Sequence, residues 1–340
     1  MTHDLETGLG RRAYYQGLDE KVWLENPLLR TWIVADAELI GNLLRAADLT
    51  LPGLDAMIAH IERRVGKTLA SLRRAIALIP IMHSGEPHSN LRRALAVYLA
   101  EKVNLAQTTA PAIIEDALTP LRSSGCIDIY EQVAAPLIKQ FISFLVGTPV
   151  PNEILALRLD LVLNHSKSPS LIIDLDRRFD EAFRFLEPLC KDETDLACKL
   201  CCIIFGSETL LMMLIESILH AISVADGAPA TLPDFPPETG VPLTWRYAAK
   251  NMAIGGCPVH AGDSVKLRLQ TTAYSEKPAI KNLIFGAGPH SCVGKQISLV
   301  MWQIFSNAFN ALQLRAKVGK YDAIIEPHMI RYRKVEIEIA

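Results

Sequence analysis

The sequence has no excess of charge of either sign and no long apolar segment at its start. The chain holds 35 Lys and Arg residues against 37 Asp and Glu residues, so its overall charge does not favour binding to nucleic acid or to a membrane surface. The opening segment MTHDLETGLGRR mixes acids and bases without an apolar core, and we expect neither a signal peptide nor an anchor there. The most apolar run, residues 210–215, is by itself too short to span a bilayer. These absences predict a cytoplasmic protein without a membrane partner.

Disulfide-framework spacing is also absent from the sequence. The seven cysteines are an odd number, and their spacing is typical of a reduced, cytosolic protein. Cys198, Cys201 and Cys202 form a C-x-x-C-C run, but no second pair of Cys or His residues follows at the spacing of a zinc site. We therefore expect these three thiols to be buried apolar side chains.

Apolar residues recur at helical spacing through the first three-quarters of the chain. They predict helices over 36–47, 55–79, 89–103, 110–122, 130–145 and 192–225. Residues 227–242 contain neither Lys nor Arg and are rich in Gly, Pro and Thr, which predicts a loop. Short strands are predicted within 246–256, 263–272 and 335–339, and a further helix over 293–312. The pattern predicts a single, mostly α-helical domain over residues 1–340, with small β-sheets near its C-terminal end.

One segment joins three glycines to a cysteine that immediately precedes a predicted helix. It reads Phe285-Gly-Ala-Gly-Pro-His-Ser-Cys-Val-Gly294. A thiolate that binds a metal needs shielding and N–H donors, and glycines let the backbone wrap closely around the sulfur. The helix after Cys292 would direct its free N–H groups and its positive dipole end toward that sulfur, which favours the anion.

The segment resembles the heme-binding signature of the cytochrome P-450 family, F-G-x-G-x-H-x-C-x-G, at all six fixed positions. The resemblance implies a cytochrome P-450-like helical fold and heme b (iron protoporphyrin IX), with Cys292 as the metal ligand. It also implies that Phe285 covers the sulfur face of the macrocycle and that His290 reaches a propionate. Gly286 and Gly294 would complete the cofactor-binding loop.

Other parts of the chain are similar to the same family. His88 and Arg92, one helical turn apart, resemble its propionate-binding pair on the third helix, and Arg246 falls where the family places another propionate-binding arginine. Glu208 and Thr209, within Phe-Gly-Ser-Glu-Thr, resemble the acid and alcohol of its distal helix. The resemblance implies that these two residues are catalytic and relay protons to bound dioxygen.

The sequence departs from the family pattern in three places. The Glu-x-x-Arg pair is missing, because residues 223–245 contain no arginine. The chain looks shortened between the distal helix and the cysteine loop, since only about a dozen residues separate Thr272 from Phe285. Phe205 stands where a small residue normally leaves room beside the oxygen site. The missing segments normally brace the cysteine loop and shape the face where an electron donor docks.

The resemblance implies a heme-thiolate oxidative enzyme, a monooxygenase or oxidative coupling enzyme, that acts on a small organic molecule, with secondary metabolism as its setting. Electrons would come from a ferredoxin or flavodoxin with its reductase. Two alternatives stay open at this point. A peroxide-driven or non-oxygenating heme-thiolate enzyme would explain the loss of donor-docking segments. A heme-free helper of a partner enzyme would explain the short core, although such helpers typically lose the cysteine segment.

Overall fold

The structure is a computed structural model that describes residues 14, 17–51, 54–158, 168–325 and 330–340, without the side chains of residues 54–57 and 325. The chain divides into two compact units. Unit 1 comprises Met1–Pro52, Thr109–Leu137 and Thr209–Ala340, and unit 2 comprises Gly53–Thr108 and Ile138–Glu208. The prediction of a single domain over residues 1–340 stays a prediction.

The chain is mostly helical. The helices are α1 (Ala37–Leu43), α2 (Leu54–Val65), α3 (Ala70–Leu78), α4 (Gly85–Leu118), α5 (Ala135–Val146), α6 (Asn152–Leu155), α7 (Pro169–Leu186), α8 (Glu193–Cys201), α9 (Ser207–Ala225), α10 (Gln270–Ala273), α11 (Pro278–Lys281) and α12 (Lys295–Ala311). The strands are β1 (Val22–Asn26), β2 (Thr31–Val34), β3 (Leu49–Thr50), β4 (Gly125–Asp128), β5 (Thr244–Ala248), β6 (Met252–Ile254), β7 (Cys257–Val259), β8 (Ser264–Leu267), β9 (Ala316–Ile325) and β10 (Ile330–Ile339). Mostly helical structure with small β-sheets confirms the predicted fold class.

Unit 1 carries the β-structure. Its five-stranded sheet has the order β1-β2-β8-β5-β3, in which β2 and β8 are parallel and the other neighbours are antiparallel. Alternate residues of β2 and β8, namely Trp32, Val34, Val265 and Leu267, enter one apolar core, as the two-residue period of a strand requires. The order β4-β10-β9 defines a second sheet, and β6 and β7 form a hairpin.

Unit 2 is helical, and polar contacts join its helices both in the interior and at the surface. Asp176 on α7 is buried and accepts a hydrogen bond from the backbone N–H of Leu72 on α3, at 2.9 Å. Arg74 on α3 binds the carboxylates of Glu187 and Glu193 and lies 4.6 Å from the ring centre of Phe183. These contacts fix α3 against α7 and the start of α8.

Several predicted elements are confirmed, and three boundaries are wrong. Of the strand predicted within 263–272 only Ser264–Leu267 is extended, because Gln270–Ala273 forms α10. The strand predicted at 335–339 is the second half of β10, the loop at 227–242 has no helix or strand, and the helix at 293–312 corresponds to α12. The helix predicted over 55–79 is broken at Gly66, which has a φ of +66° that ends α2. The two helices predicted over 89–103 and 110–122 are instead one helix, α4, which contains Pro111.

The apolar run 210–215 belongs to a much longer helical segment than its own length indicates. Within the described residues, Glu193–Ala225 is long and apolar enough to cross a membrane, but 72% of its most apolar window is buried inside the protein. A buried core helix meets the same criteria of length and composition, so this segment is weak evidence for a membrane span.

A buried carboxylate ties β8 to the turn between β1 and β2. Asp263 accepts hydrogen bonds from the guanidinium of Arg30, from Trp32 Nε1 at 3.0 Å and from the backbone N–H of His260 at 2.9 Å. Burial raises the pKa of Asp263, but these hydrogen bonds outweigh it and lower the pKa to about 2. The ionised carboxylate therefore stabilises the folded chain.

We expect Asp263→Asn to lower the free energy of unfolding at pH 7 by about 2 kcal/mol. The pKa of Asp263 is lower in the folded chain than its usual value of about 4. Its contribution is therefore complete above that value and is lost as the pH falls toward 2. Urea denaturation between pH 7 and pH 3 should show the stability difference narrowing with acidity. Asp322→Asn, at an exposed position on β9, is the control and should change little.

Candidate functional site

The cysteine loop, residues 285–294, is closed by its own backbone. The N–H of Cys292 donates to the carbonyl oxygen of Phe285 at 2.7 Å, and the N–H of Ser291 donates to that of Gly288 at 3.1 Å. Gly286 lies in the left-handed region, with a φ of +70°, at the point where the loop turns. The Cys292 side chain is exposed. The loop therefore presents the thiol while its backbone is held in place.

Gly288 fits the cysteine loop against the segment that follows α1. Its φ is also +70°, and a Cβ atom at this position would lie 2.9 Å from the carbonyl oxygen of Leu44 and 3.3 Å from Cα of Arg45. Both the backbone conformation and the close approach exclude a larger residue. The sequence motif specifies a glycine here, and the structure gives the physical reason for it.

The amino terminus of α12 lies close after Cys292 in the chain, with Val293 and Gly294 between them. Gly294 precedes the first helical residue, Lys295, and no described side chain caps this end of the 17-residue helix. The first turn of a helix leaves N–H groups without intrahelical acceptors and carries partial positive charge. Helix amino termini in proteins favour a nearby thiolate over the thiol. The structure thus confirms the helix predicted after the cysteine, which begins at Lys295 rather than at residue 293.

The ring of Phe285 is fixed from two sides. Phe235, in the loop between α9 and β5, meets it edge to face, with ring centres 6.0 Å apart and planes at 88°. The Nζ atom of Lys295 lies 5.7 Å from the centre of the same ring. Sequence reasoning missed Phe235. The signal that could have identified it is its position as the lone aromatic residue among the prolines of 227–242.

Arg246 on β5 is a buried cation. It is 4% exposed, and its Nη1 donates to Thr244 Oγ1 at 2.9 Å and to the carbonyl oxygen of Trp245 at 2.7 Å. Burial lowers the pKa of its guanidinium. In the described part of the chain no carboxylate pairs with it. A buried cation whose hydrogen bonds go to neutral oxygens is suited to an added carboxylate group.

His88 and Arg92 lie in unit 2, one turn apart near the start of α4, as predicted. His88 is 6% exposed, and its pKa is lowered by burial and by the positive charges of Arg92 and His83. The imidazole is therefore neutral at pH 7 and can act as a hydrogen-bond donor, while Arg92 carries the charge of the pair.

Glu208 and Thr209 lie in the first turn of α9, which follows a π-helical turn at Cys202–Gly206. Both side chains are partly buried. The hydroxyl of Ser207 donates to the carbonyl oxygen of Ile203 at 2.5 Å, within this turn. π-Helical turns inside α-helices occur often at functional sites, because they change the direction of the side chains that follow. Phe205, at 37% exposed, lies in the turn itself.

The two units divide the predicted site residues. Unit 1 contains Thr209, Arg246, Phe285, Gly286, His290, Cys292 and Gly294, and unit 2 contains His88, Arg92 and Glu208. Within unit 1 the described contacts bring Phe285 and Cys292 together, while those of Arg246 are local to β5. The role of each residue stays a prediction.

The C-x-x-C-C cysteines are buried on α8 and the π-helical turn. Burial raises the pKa of Cys198 and of Cys202 to about 12 and also raises that of Cys201. Thiols with such pKa values are protonated at neutral pH, which agrees with the prediction of inert apolar side chains. Among the residues that the structure describes, no group of three His, Cys, Asp or Glu side chains is arranged to hold a metal ion.

No protein-family model matches the chain, and no curated protein matches it by sequence. Solved structures do resemble it. Cytochrome P-450 BioI, in complex with acyl carrier protein ligated to hexadec-9Z-enoic acid, is 14% identical with a TM-score of 0.75, over 97% of this chain and 98% of that chain. The tirandamycin C-bound monooxygenase TamI is 17% identical with a TM-score of 0.72, over 97% of each chain. A thermophilic cytochrome P-450 from Sulfolobus tokodaii is 17% identical with a TM-score of 0.69, over 97% of this chain and 99% of that chain.

These likenesses extend over almost the whole chain, at identities too low to transfer an activity. They show that the chain has the cytochrome P-450 fold, which confirms the fold implied by the cysteine motif. The predicted shortening between the distal helix and the cysteine loop stays a prediction.

Proposed function

We propose that this chain is a heme-thiolate oxidoreductase of the monooxygenase type, which oxidises a small organic molecule. The observation that carries the proposal is the Cys292 loop. This loop presents an exposed thiol just before the amino terminus of α12. It belongs to a chain that has the cytochrome P-450 fold. The combination of this exposed thiol with the cytochrome P-450 fold supports ligation of heme iron by sulfur.

Arg246 supports heme b as the cofactor. A buried guanidinium that has no described carboxylate partner fits a propionate, because that group supplies the missing negative charge. In the proposal His88, Arg92 and His290 bind the propionates as well, and Gly286 leaves room for the macrocycle. Bound heme would supply the redox-active iron at which dioxygen is reduced.

The chain's own residues have separate tasks in the proposed reaction. Cys292 donates electron density through its sulfur, and the first turn of α12 stabilises the negative charge on that atom. Phe285 excludes water from the sulfur face. Thr209 holds a proton on Oγ1, and the carboxyl group of Glu208 replaces that proton after its transfer.

The proposed substrate is a natural product, and the proposed setting is the cytoplasm. The substrate class is supported by TamI, a solved monooxygenase that carries tirandamycin C. Electrons would come from a ferredoxin or a flavodoxin with its reductase, because the side chains of this chain supply none for the reduction of dioxygen.

Purification of the full chain with ample heme supply tests the proposal. We expect one heme per chain and, after reduction and exposure to carbon monoxide, a Soret band far to the red, since thiolate ligation shifts this band. Turnover with a ferredoxin and its reductase, compared with turnover driven by hydrogen peroxide, then separates the monooxygenase from a peroxide-driven enzyme. Absence of heme would overturn the proposal and favour the helper protein.

A further inference from the structure

The loop between α9 and β5, residues 228–243, is here called the strap. Its backbone forms hydrogen bonds with side chains of α12, the helix that follows Cys292. The amide of Asn310 binds both backbone groups of Leu232: Oδ1 accepts from its N–H at 2.7 Å, and Nδ2 donates to its carbonyl oxygen at 2.8 Å. Trp302 Nε1 donates to the carbonyl oxygen of Pro233 at 3.0 Å. Leu232 and Trp302 are buried, so these bonds are shielded from water.

The strap also contacts the cysteine loop. Phe235 packs edge to face on Phe285, whose carbonyl oxygen accepts the hydrogen bond from the N–H of Cys292. Asn310 and Trp302 fix the strap two to three residues before Phe235. The strap is thus held on α12 beside the place where it supports Phe285.

At its other end the strap lies against the distal helix, α9. The backbone of Gly240 packs on Thr209 so closely that a Cβ atom would lie 1.8 Å from the carbonyl oxygen of Thr209. Glu238 is fully buried, and its Oε1 lies 3.7 Å from Nδ1 of His220 on α9. One segment of the chain therefore contacts α12, Phe285 and α9 within unit 1.

We propose that the strap positions the cysteine loop relative to the distal helix, with Asn310 and Phe235 as its positioning residues. Neither residue is part of the motif, and neither was a candidate in the sequence. The strap contains no Lys or Arg, so it acts through backbone hydrogen bonds, an aromatic contact and close packing. The expected effect on heme binding rests on the proposed function. The expected effect on the backbone of the cysteine loop does not.

Asn310→Leu tests the inference, because it removes both hydrogen bonds to Leu232 at similar side-chain volume. We expect heme to dissociate into an excess of an apo-globin acceptor about tenfold faster than from the wild-type chain, as one lost pair of buried hydrogen bonds implies. Asn310→Asp keeps the acceptor for the N–H of Leu232, so its rate of heme dissociation should lie between those of Asn310→Leu and the wild-type chain. The matched control is Asn307→Leu, at an exposed position one turn earlier on α12, which should behave as wild type.

A second measurement works without heme. Hydrogen exchange at the N–H of Cys292 in the heme-free chain should be about tenfold faster in Asn310→Leu, because the bond to Phe285 opens more often. Amides of the β9–β10 ladder are the internal reference, and they should exchange at the wild-type rate. A parallel acceleration in that ladder would indicate general destabilisation and would overturn the inference.

The two proposals fail differently. A wild-type chain without heme would overturn the proposed function, while the exchange at Cys292 would still test the strap. If Asn310→Leu does not fold, Phe235→Leu provides the same test by removing the aromatic contact with Phe285 alone. The inference would be overturned if either variant lost heme at the wild-type rate and also exchanged the N–H of Cys292 at the wild-type rate.

Discussion

Replacing Cys292 by serine is expected to abolish the red-shifted Soret band of the reduced, carbon monoxide-bound protein and to lower turnover by more than about a hundredfold. A serine hydroxyl is far less acidic than a thiol, and a cysteine that binds a metal does so as the thiolate. The iron would then lack the electron donation that favours cleavage of the oxygen–oxygen bond. Absorption spectra and turnover rates of the purified variant measure both effects.

The control for this prediction is Cys126→Ser. Cys126 is the other exposed cysteine among the described residues, and it lies on β4, where no helix begins. We expect the spectrum and the turnover of Cys126→Ser to match those of the wild-type chain. A red-shifted band that survives in Cys292→Ser, or one that is lost in Cys126→Ser, would contradict the assignment of Cys292 as the ligand.

Much of the helical structure could be predicted because its cause is local. The predicted segment 192–225 is one helical run, since apolar residues recur at three and four positions throughout it. The fusion of 89–103 and 110–122 into α4 was not predictable in this way. Thr108, Thr109 and Pro111 have low helix propensity, but in the folded chain packing of the buried residues Ala106, Ala110 and Ile114 outweighs it.

In the candidate site, too, features with a local cause could be predicted and features that depend on distant residues could not. The cysteine loop could be recognised because its glycines, its cysteine and the helix after them are neighbours in sequence. The parallel pairing of β2 with β8 joins residues about 230 positions apart, and no local pattern encodes it. Asn310 and Leu232, which anchor the strap, are 78 positions apart. An asparagine on a helix has no sequence signature that identifies its partner, and the strap therefore could not be predicted.

Gly240→Ala is expected to lower the free energy of unfolding by about 3 kcal/mol, the upper range for overpacking in a close-packed interior. The new Cβ atom would lie 1.8 Å from the carbonyl oxygen of Thr209, 2.6 Å from its carbonyl carbon and 2.9 Å from its Cα. All three are backbone atoms of α9, so no side-chain rotation relieves the clash. Either the strap or the helix must move, and Thr209 moves with the helix.

Urea denaturation measures this cost, and Gly41→Ala is the matched control. At Gly41, on α1, the nearest atom to a new Cβ is Cδ1 of Leu283, at 3.0 Å, which is the far end of a flexible side chain. Alanine also has a higher helix propensity than glycine, by about 1 kcal/mol, so we expect this variant to be close to neutral. Equal stabilities of the two variants would contradict the close packing of the strap on the distal helix. In a heme-loaded chain, Gly240→Ala should in addition uncouple oxygen consumption from product formation, because it displaces the residue proposed to hold the transferred proton.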